Sequence, residues 1–330
     1  MSNDIIHYSE ARAYPTIGVI LLGGISDKTK RIPMHTSAGF AYTGLDQDIW
    51  VDTRVMINRG APFGDLNGDE VQYSESGRSP FVILNHYRNK IFSNLGVRED
   101  AALSFRSKNV GILSGSSDAG AAAMGACIAK MAGGVDDMVA FENELRSISE
   151  SVGRSLHGGL TVTWADGRNA RTEQLLGPEA FRDYAVIGCS FNVQRKPSDR
   201  IHENAVNSPD YPKRIESTAK KAKELVKLSE EKDIMGIFDL SHQDTGEYHR
   251  LNESVGVKII TPEMRKLMQM VDRDRKETWM SFIVTGGSNV FVITERKNVK
   301  EIAERYKGHC DGQSLLVVAE GAKVTTISKP

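Results

Sequence analysis

The chain has 330 residues, 40% of them hydrophobic and 26% charged, with a net charge of -1, so it is long enough to bury a sizeable core and to divide into two domains. Neither a basic excess nor a basic block is present, which excludes bulk electrostatic attachment to nucleic acid or a membrane and leaves small polar molecules as the expected partners. The three cysteines, Cys127, Cys189 and Cys310, lie far apart and form neither a disulfide framework nor a C-x-x-C metal site, so they read as ordinary buried thiols.

In chain order, residues 1–14 are polar and of mixed charge, with no apolar core for a signal peptide, and no apolar run approaches the ~18 residues of a membrane span, so a cytoplasmic protein is expected. Segments 17–22, 37–43 and 50–57 read as strands, and 60–78, rich in Gly, Asp, Asn and Ser, as a surface excursion. A helix is predicted over 80–95. A second is predicted over 117–131, stopped by Gly133-Gly134, and a third over 136–151. Strands follow at 160–164 and 184–193, and a domain boundary is placed at 192/193, where apolar, glycine-rich sequence gives way to long charged helices. The Lys- and Glu-rich segment 212–233 reads as a solvated helix face. Beyond it come a helix at 262–275, strands at 278–284 and 289–294, a helix at 298–306 and a strand at 314–318. Helices alternating with strands indicate an α+β fold.

The stretch from Asn109 to Met124 carries the strongest chemical signal, because a Gly/Ser-rich turn runs directly into a helix of small residues. Backbone N–H groups from Ser114 to Asp118, at the positive end of the helix dipole, are suited to wrap a polyphosphate, and the absence of bulky side chains lets it approach. No G-x-x-x-x-G-K-[ST] occurs, so the loop is not an ordinary P-loop. The competing reading is a close helix contact that needs Gly and Ala. Two further segments favour a ligand. Glu150 and Arg154, four residues apart, share one helical face before Gly158-Gly159; they form either a weak i,i+4 ion pair or a site where the guanidinium presents its fork to a carboxylate. Thr285-Gly286-Gly287-Ser288 is a tight turn able to close over a ligand.

Taken with the first-strand segment Tyr14-Pro-Thr-Ile-Gly-Val-Ile-Leu-Leu-Gly-Gly24, with Gln194-Arg195 and with Val284-Thr-Gly-Gly-Ser-Asn-Val290, these motifs resemble the GHMP kinase superfamily over nearly the whole chain. Within it they resemble the branch of the mevalonate diphosphate decarboxylases and the archaeal mevalonate 3-kinases. The resemblance implies an N-terminal domain of the ribosomal protein S5 domain 2-like type (1–192), a ferredoxin-like C-terminal domain (193–330), and a cleft between them for ATP and (R)-mevalonate. It also implies a homodimer. Position by position, it implies catalytic roles for Glu150, Arg154, Arg195 and Thr285. Substrate contacts fall at Leu21, Leu22, Gly23, Gly24, Glu150, Arg154 and Thr285. Nucleotide contacts fall at Asn109, Ser114, Gly115, Ser116, Ser117, Arg195, Ser198 and Ser208, with the Ser116 hydroxyl on Mg2+.

Departures from the decarboxylase pattern bear on the reaction. Where decarboxylases read T-I-A-x-I-K-Y-W-G-K, this chain has Leu21 and Ile25 in place of the two lysines. Phosphate oxygens set against these side chains would lose water without gaining a charged partner, at roughly several kcal/mol, so an unphosphorylated 5-hydroxyl fits better. The aspartate of the decarboxylases' late D-A-G-P-N-A turn is Thr285 here, and a neutral hydroxyl does not stabilise positive character developing at C3. Both departures resemble the 3-kinases and imply a reaction that stops at mevalonate 3-phosphate; the alternatives are an ATP-dependent decarboxylase of a mevalonate phosphate or small 3-hydroxy acid, and a silent binding protein. Of the remaining residues, Asp118, a second negative group beside a triphosphate, either binds magnesium or caps the helix, with the cap preferred, and His157 reads as a packing residue.

Overall fold

The computed structural model describes residues 5–193 and 196–328. Its first strands are β1 (Ile5–Ala13), β2 (Thr16–Ile20), β3 (Ser37–Gly44), β4 (Trp50–Asn58), β5 (Gly64–Leu66), β6 (Asp69–Val71) and β7 (Ala102–Val110). Helices α1 (Pro80–Leu95), α2 (Ser116–Met131), α3 (Met138–Leu145) and α4 (Val152–His157) follow in the same half. Strands β8 (Leu160–Ala165), β9 (Ala170–Leu176) and β10 (Tyr184–Ser190) lead to α5 (Ser198–Ala205), α6 (Tyr211–Glu231), α7 (Ile234–Ser254) and α8 (Pro262–Asp274). Strands β11 (Met280–Val284) and β12 (Asn289–Glu295), helix α9 (Val299–Tyr306), and strands β13 (Gly312–Val318) and β14 (Lys323–Ile327) complete the chain.

One sheet has the order β14-β1-β4-β7-β5-β6; the other follows β11-β12-β10-β13-β3-β8-β9, with β2 beside β3. The second sheet runs without interruption past the boundary expected at 192/193, because β10 pairs with β12 and β13, and β13 pairs with β3. Helix α2 seats against β1 and β4, and its small face (Ala119, Ala122, Ala123) is what allows the close approach. Helices α6 and α7 cover β2 and β3 from the other side. Among the described residues no helix is long and apolar enough to cross a membrane.

Three sequence expectations change. The polar N-terminus is a strand: Ser9, Ala11 and Ala13 face the core, while Glu10 and Arg12 pair outward with Arg54 and Asp52 at 2.5 and 2.8 Å. The excursion at 60–78 contains the β5–β6 hairpin. The helix expected over 136–151 ends early, with α3 at Leu145, because the buried Arg146 guanidinium reaches back to the Glu142 carboxylate and forward to the Glu150 carbonyl at 2.5 Å, folding the chain into a turn before α4 begins at Val152.

Candidate active site

A cleft of about 240 Å³ opens where α2, the α3–α4 turn, the end of β2, α5 and the β11–β12 turn converge. On its floor, Gly115 caps α2 with φ 79°, a left-handed conformation that suits glycine. The closeness of Thr16 makes the same demand, since a Cβ there would sit 2.5 Å from the Thr16 nitrogen. The Tyr42 hydroxyl holds the loop from behind, accepting from the Ser114 N–H at 3.0 Å and donating to its carbonyl at 2.8 Å. The Ser114 N–H is therefore engaged, in contrast to the expected set of phosphate donors. The first intrahelical bond of α2 runs from Ala119 N–H to the Gly115 carbonyl, so the N–H groups of Ser116, Ser117 and Asp118 form the anion-facing turn.

Asp118 is not the cap. Gly115 holds that position, and the Asp118 carboxylate points into the cleft, where it accepts from Thr16 Oγ1 and, at 2.5 Å, from Ser149 Oγ. Burial, helped by the nearby Glu150, pushes its pKa up against the two hydroxyls and Arg154.

Glu150 and Arg154 both line the cleft, yet they are not paired with each other. Glu150 precedes α4, and its Oε2 accepts from Arg31 Nη2 at 2.7 Å and Nε at 3.1 Å. Its Oε1 lies 3.1 Å from His202 Nε2. His202 Nδ1 accepts from the Gly24 N–H at 3.1 Å, which assigns the ring proton to Nε2 and makes it the donor to Glu150. Burial works to raise the Glu150 pKa, but His202 and Arg31 outweigh it and hold the carboxylate well below its usual range. Arg31 is in turn 2.7 Å from Asp199 at the start of α5.

Arg154 is only 6% exposed. Its guanidinium rests on two strands made bare for it: a Cβ on Gly39 would meet Arg154 Cδ at 2.8 Å, and one on Gly18 would meet Nη1 at 3.4 Å. Nη2 donates to Ser37 Oγ at 3.1 Å, Nε has no partner, and among the described residues no carboxylate forms an ion pair with the group. A buried fork of this kind has the chemistry to receive a carboxylate or another anion.

Leu21 and Leu22 form the apolar wall. The backbone of this segment is fixed at four points. Asp244 Oδ2 accepts from the Leu21 N–H at 2.7 Å, Arg214 Nη2 donates to the Leu21 carbonyl at 2.6 Å, His35 Nε2 accepts from Gly23 N–H at 3.1 Å, and His202 takes that of Gly24. Gly23 and Gly24 therefore do not line the cleft as expected; their N–H groups are consumed by imidazoles. Burial, assisted by Arg214, lowers the His35 pKa to about 4 and keeps the ring neutral as an acceptor. Ile201, Tyr248 and Thr285 also line the cleft, with the exposed Lys196 and Ser198 at the rim. Thr285 Oγ1 is 3.5 Å from the Gly287 nitrogen, and His249 steadies the turn by bonding the Val284 carbonyl at 2.8 Å, so Thr285 is both a turn residue and a cleft residue.

Beyond Ser117 lies a second, mainly apolar cavity of about 360 Å³, bounded by Leu66, Pro80, Phe105 and Met124. Asn109 and Ser116 line this cavity and not the cleft, and Ser117 borders both spaces. Ser208 touches neither; its hydroxyl is 2.8 Å from Ser254 Oγ. Arg195 lies outside the described residues. His157 sits away from the cleft in a 3.0 Å contact with Glu142, a polar role and not plain packing. The sequence reading gave no role to Thr16, although it stands in the first-strand segment, and missed Arg31, Lys196, His202 and Tyr248, which belong to no recognisable spacing pattern. Among the described residues no group of three or more His, Cys, Asp or Glu side chains is placed to hold a metal ion.

Two family models match the chain: a diphosphomevalonate decarboxylase-like N-terminal domain over residues 13–174 and a mevalonate-3-kinase C-terminal domain over 196–300. The mevalonate-3-kinase of Picrophilus torridus is 47% identical over 320 residues, covering 97% of this chain and 98% of that protein. The mevalonate 3-kinase of Thermoplasma acidophilum is 44% identical over 310 residues, covering 94% and 95%. The crystal structure of the Thermoplasma enzyme with mevalonate 3-phosphate and ADP bound superposes with a TM-score of 0.90 at 41% identity, covering 98% of this chain and 99% of that one. The mevalonate diphosphate decarboxylase of Staphylococcus aureus shares the fold, with a TM-score of 0.80 at 19% identity over 97% and 98% of the two chains. The pairing of these two domain types with near-full-length identity above 40% makes the chain a member of the mevalonate-3-kinase family.

Proposed function

We propose that this protein transfers the γ-phosphate of ATP to the tertiary 3-hydroxyl of (R)-mevalonate, giving mevalonate 3-phosphate and ADP. The observation that carries the reading is the buried Arg154 fork, without a carboxylate partner, in a cleft that is also lined by the apolar side chains of Leu21 and Leu22. A substrate with a carboxylate at one end and an uncharged hydroxymethyl at the other matches both surfaces.

In this reading Arg154 binds the mevalonate carboxylate, and the leucines take the uncharged 5-carbon end. Glu150, ionised and locked by Arg31 and His202, accepts a hydrogen bond from a substrate hydroxyl and orients it. Its depressed pKa suits orientation better than proton abstraction. The nucleotide phosphates lie on the first turn of α2, the adenine in the apolar cavity beyond Ser117, and Lys196, Ser198 and the resemblance-derived Arg195 add positive charge or hydroxyls from the second half of the chain. The oxygen donors at the loop, with the Ser117 hydroxyl foremost, fit Mg2+, which would neutralise phosphate charge when bound with the nucleotide. Catalysis then rests on alignment and electrostatics. A cytoplasmic location belongs to the same reading, as does a homodimer, which rests on the family resemblance.

Thr285 in place of a carboxylate speaks for a reaction that ends at the phosphate ester. The test is ADP release measured with mevalonate, 5-phosphomevalonate and 5-diphosphomevalonate in parallel, with carbon dioxide collected. Turnover on mevalonate without stoichiometric carbon dioxide is expected; faster turnover on either 5-phosphorylated compound would overturn the assignment.

A further inference from the structure

Asp118 has no part in the reading above, yet it is the most unusual charged group in the cleft. It is 7% exposed, stands in the first turn of α2, and among the described residues it forms no ion pair. Its oxygens are held by two hydroxyls, Thr16 Oγ1 and Ser149 Oγ, and the same Ser149 Oγ lies 3.2 Å from Ser117 Oγ, so Ser117, Ser149 and Asp118 form one connected row of oxygens on the phosphate-binding turn. A carboxylate here has a problem that its neighbours do not solve. Nucleotide phosphates placed on this turn would lie beside a second buried anion, with Arg154 bound to Ser37 and aligned for the substrate. Helix capping, which would justify an acidic residue near this position, is not what Asp118 does: Gly115 stands at the N-cap, among the described residues no side chain bonds the first-turn N–H groups, and the Asp118 oxygens are turned to Thr16 and Ser149.

We infer that Asp118, together with the Ser117 hydroxyl, is the protein's half of a divalent-cation site whose other half is the nucleotide's phosphates. The inference rests on the kinase reading of the cleft. One carboxylate, one hydroxyl, phosphate oxygens and water suit Mg2+, which keeps much of its hydration and is seldom caged by protein alone; that is consistent with the lack of a three-residue metal cluster among the described residues. Thr16 and Ser149 act as outer partners that fix the carboxylate's orientation. The cation relieves the repulsion that the carboxylate would otherwise exert on the phosphates. The sign of the effect is therefore specific: Asp118 strengthens nucleotide binding when Mg2+ is present and weakens it when Mg2+ is absent.

The experiment is calorimetric titration of ADP into the wild-type protein and the Asp118→Asn and Asp118→Ser variants, each with Mg2+ and with a chelator. Electron paramagnetic resonance of Mn2+, with and without ADP, supplies a second readout. Mg2+ is expected to tighten ADP binding to the wild type by about tenfold or more. Both variants should lose that enhancement, bind metal-free ADP at least as tightly as the wild type, and fail to retain Mn2+ with ADP. Undiminished metal enhancement in a folded variant would overturn the proposal. So would a wild-type protein whose ADP affinity ignores Mg2+, a result that needs no variant to fold. Because no mevalonate is used, a wrong acceptor substrate would leave this outcome intact.

Discussion

His202 and Glu150 are joined across the cleft, Nε2 to Oε1 at 3.1 Å, while the same imidazole accepts the Gly24 N–H through Nδ1 at 3.1 Å. One ring thus couples the cleft-lining carboxylate of Glu150 to the backbone that carries Leu21 and Leu22, and it does so from α5, in the second half of the chain.

Replacing His202 by Ala leaves a buried N–H and a carboxylate oxygen without partners. It should lower stability by about 1–3 kcal/mol and reduce kcat/KM for mevalonate by about tenfold or more, mainly through KM. His202→Asn offers an acceptor to Gly24 but does not reach Glu150, so it should recover stability further than activity. Thermal melts and steady-state kinetics on both variants check this; unchanged mevalonate kinetics in His202→Ala would contradict it.

Gly39→Ala tests the seat of Arg154. The new Cβ would lie 2.5 Å from the Ile17 carbonyl and within 2.9 Å of the Arg154 side chain, so backbone or guanidinium must move. A stability loss of about 1–3 kcal/mol is expected, together with a rise in KM for mevalonate but not for ATP. Equal effects on both substrates would show that the guanidinium does not meet the mevalonate carboxylate.

Acid should destabilise the protein through two histidines held neutral. Burial is the leading cause that lowers His35 and His249 to about 4, while the unfolded chain titrates near 6.5. Above about pH 6.5 both states are neutral and the histidines contribute nothing to the pH dependence. As pH falls from there toward about 4, the unfolded state takes up protons that the folded state refuses, and on the order of 3 kcal/mol per histidine is lost. Glu150, whose pKa is depressed, acts further down, its stabilisation being present above its unfolded pKa and lost as pH falls below it. Denaturant melts across this range should show a shallower decline for His35→Gln than for the wild type; parallel curves would contradict the account.

Thr285→Asp places a carboxylate in the cleft at the β11–β12 turn. Carbon dioxide released per ADP should rise above the wild-type ratio even if total turnover falls, because a negative charge there stabilises positive character developing at C3. A ratio no higher than wild type would remove Thr285 from the factors that decide the reaction's end point.

Much of this site was legible in the sequence because its signals are local. The 109–124 loop joins glycine-rich turn chemistry to a small-residue helix, and the substitutions at Leu21 and Thr285 stand inside recognisable segments. The partners that make those residues work come from far away in the chain. Arg31 and His202 reach Glu150 over 119 and 52 positions, and Thr16 reaches Asp118 over 102. Asp118 itself was visible but misread, since an acidic residue in a first helical turn usually serves the helix. Here the carboxylate turns instead to the Thr16 and Ser149 hydroxyls. Strand β1 escaped notice for a different reason: its outward face carries charged residues paired to β4, so its hydrophobic face consists only of Ser9, Ala11 and Ala13.

The central claim concerns which oxygen receives the phosphate, and phosphorus NMR of the product formed from (R)-mevalonate and ATP decides it. With proton coupling retained, a 3-phosphate ester carries no hydrogen on the ester carbon and gives an unsplit resonance beside those of ADP, which is the expected result. A triplet from coupling to a neighbouring methylene would place the phosphate on the 5-oxygen and contradict the account.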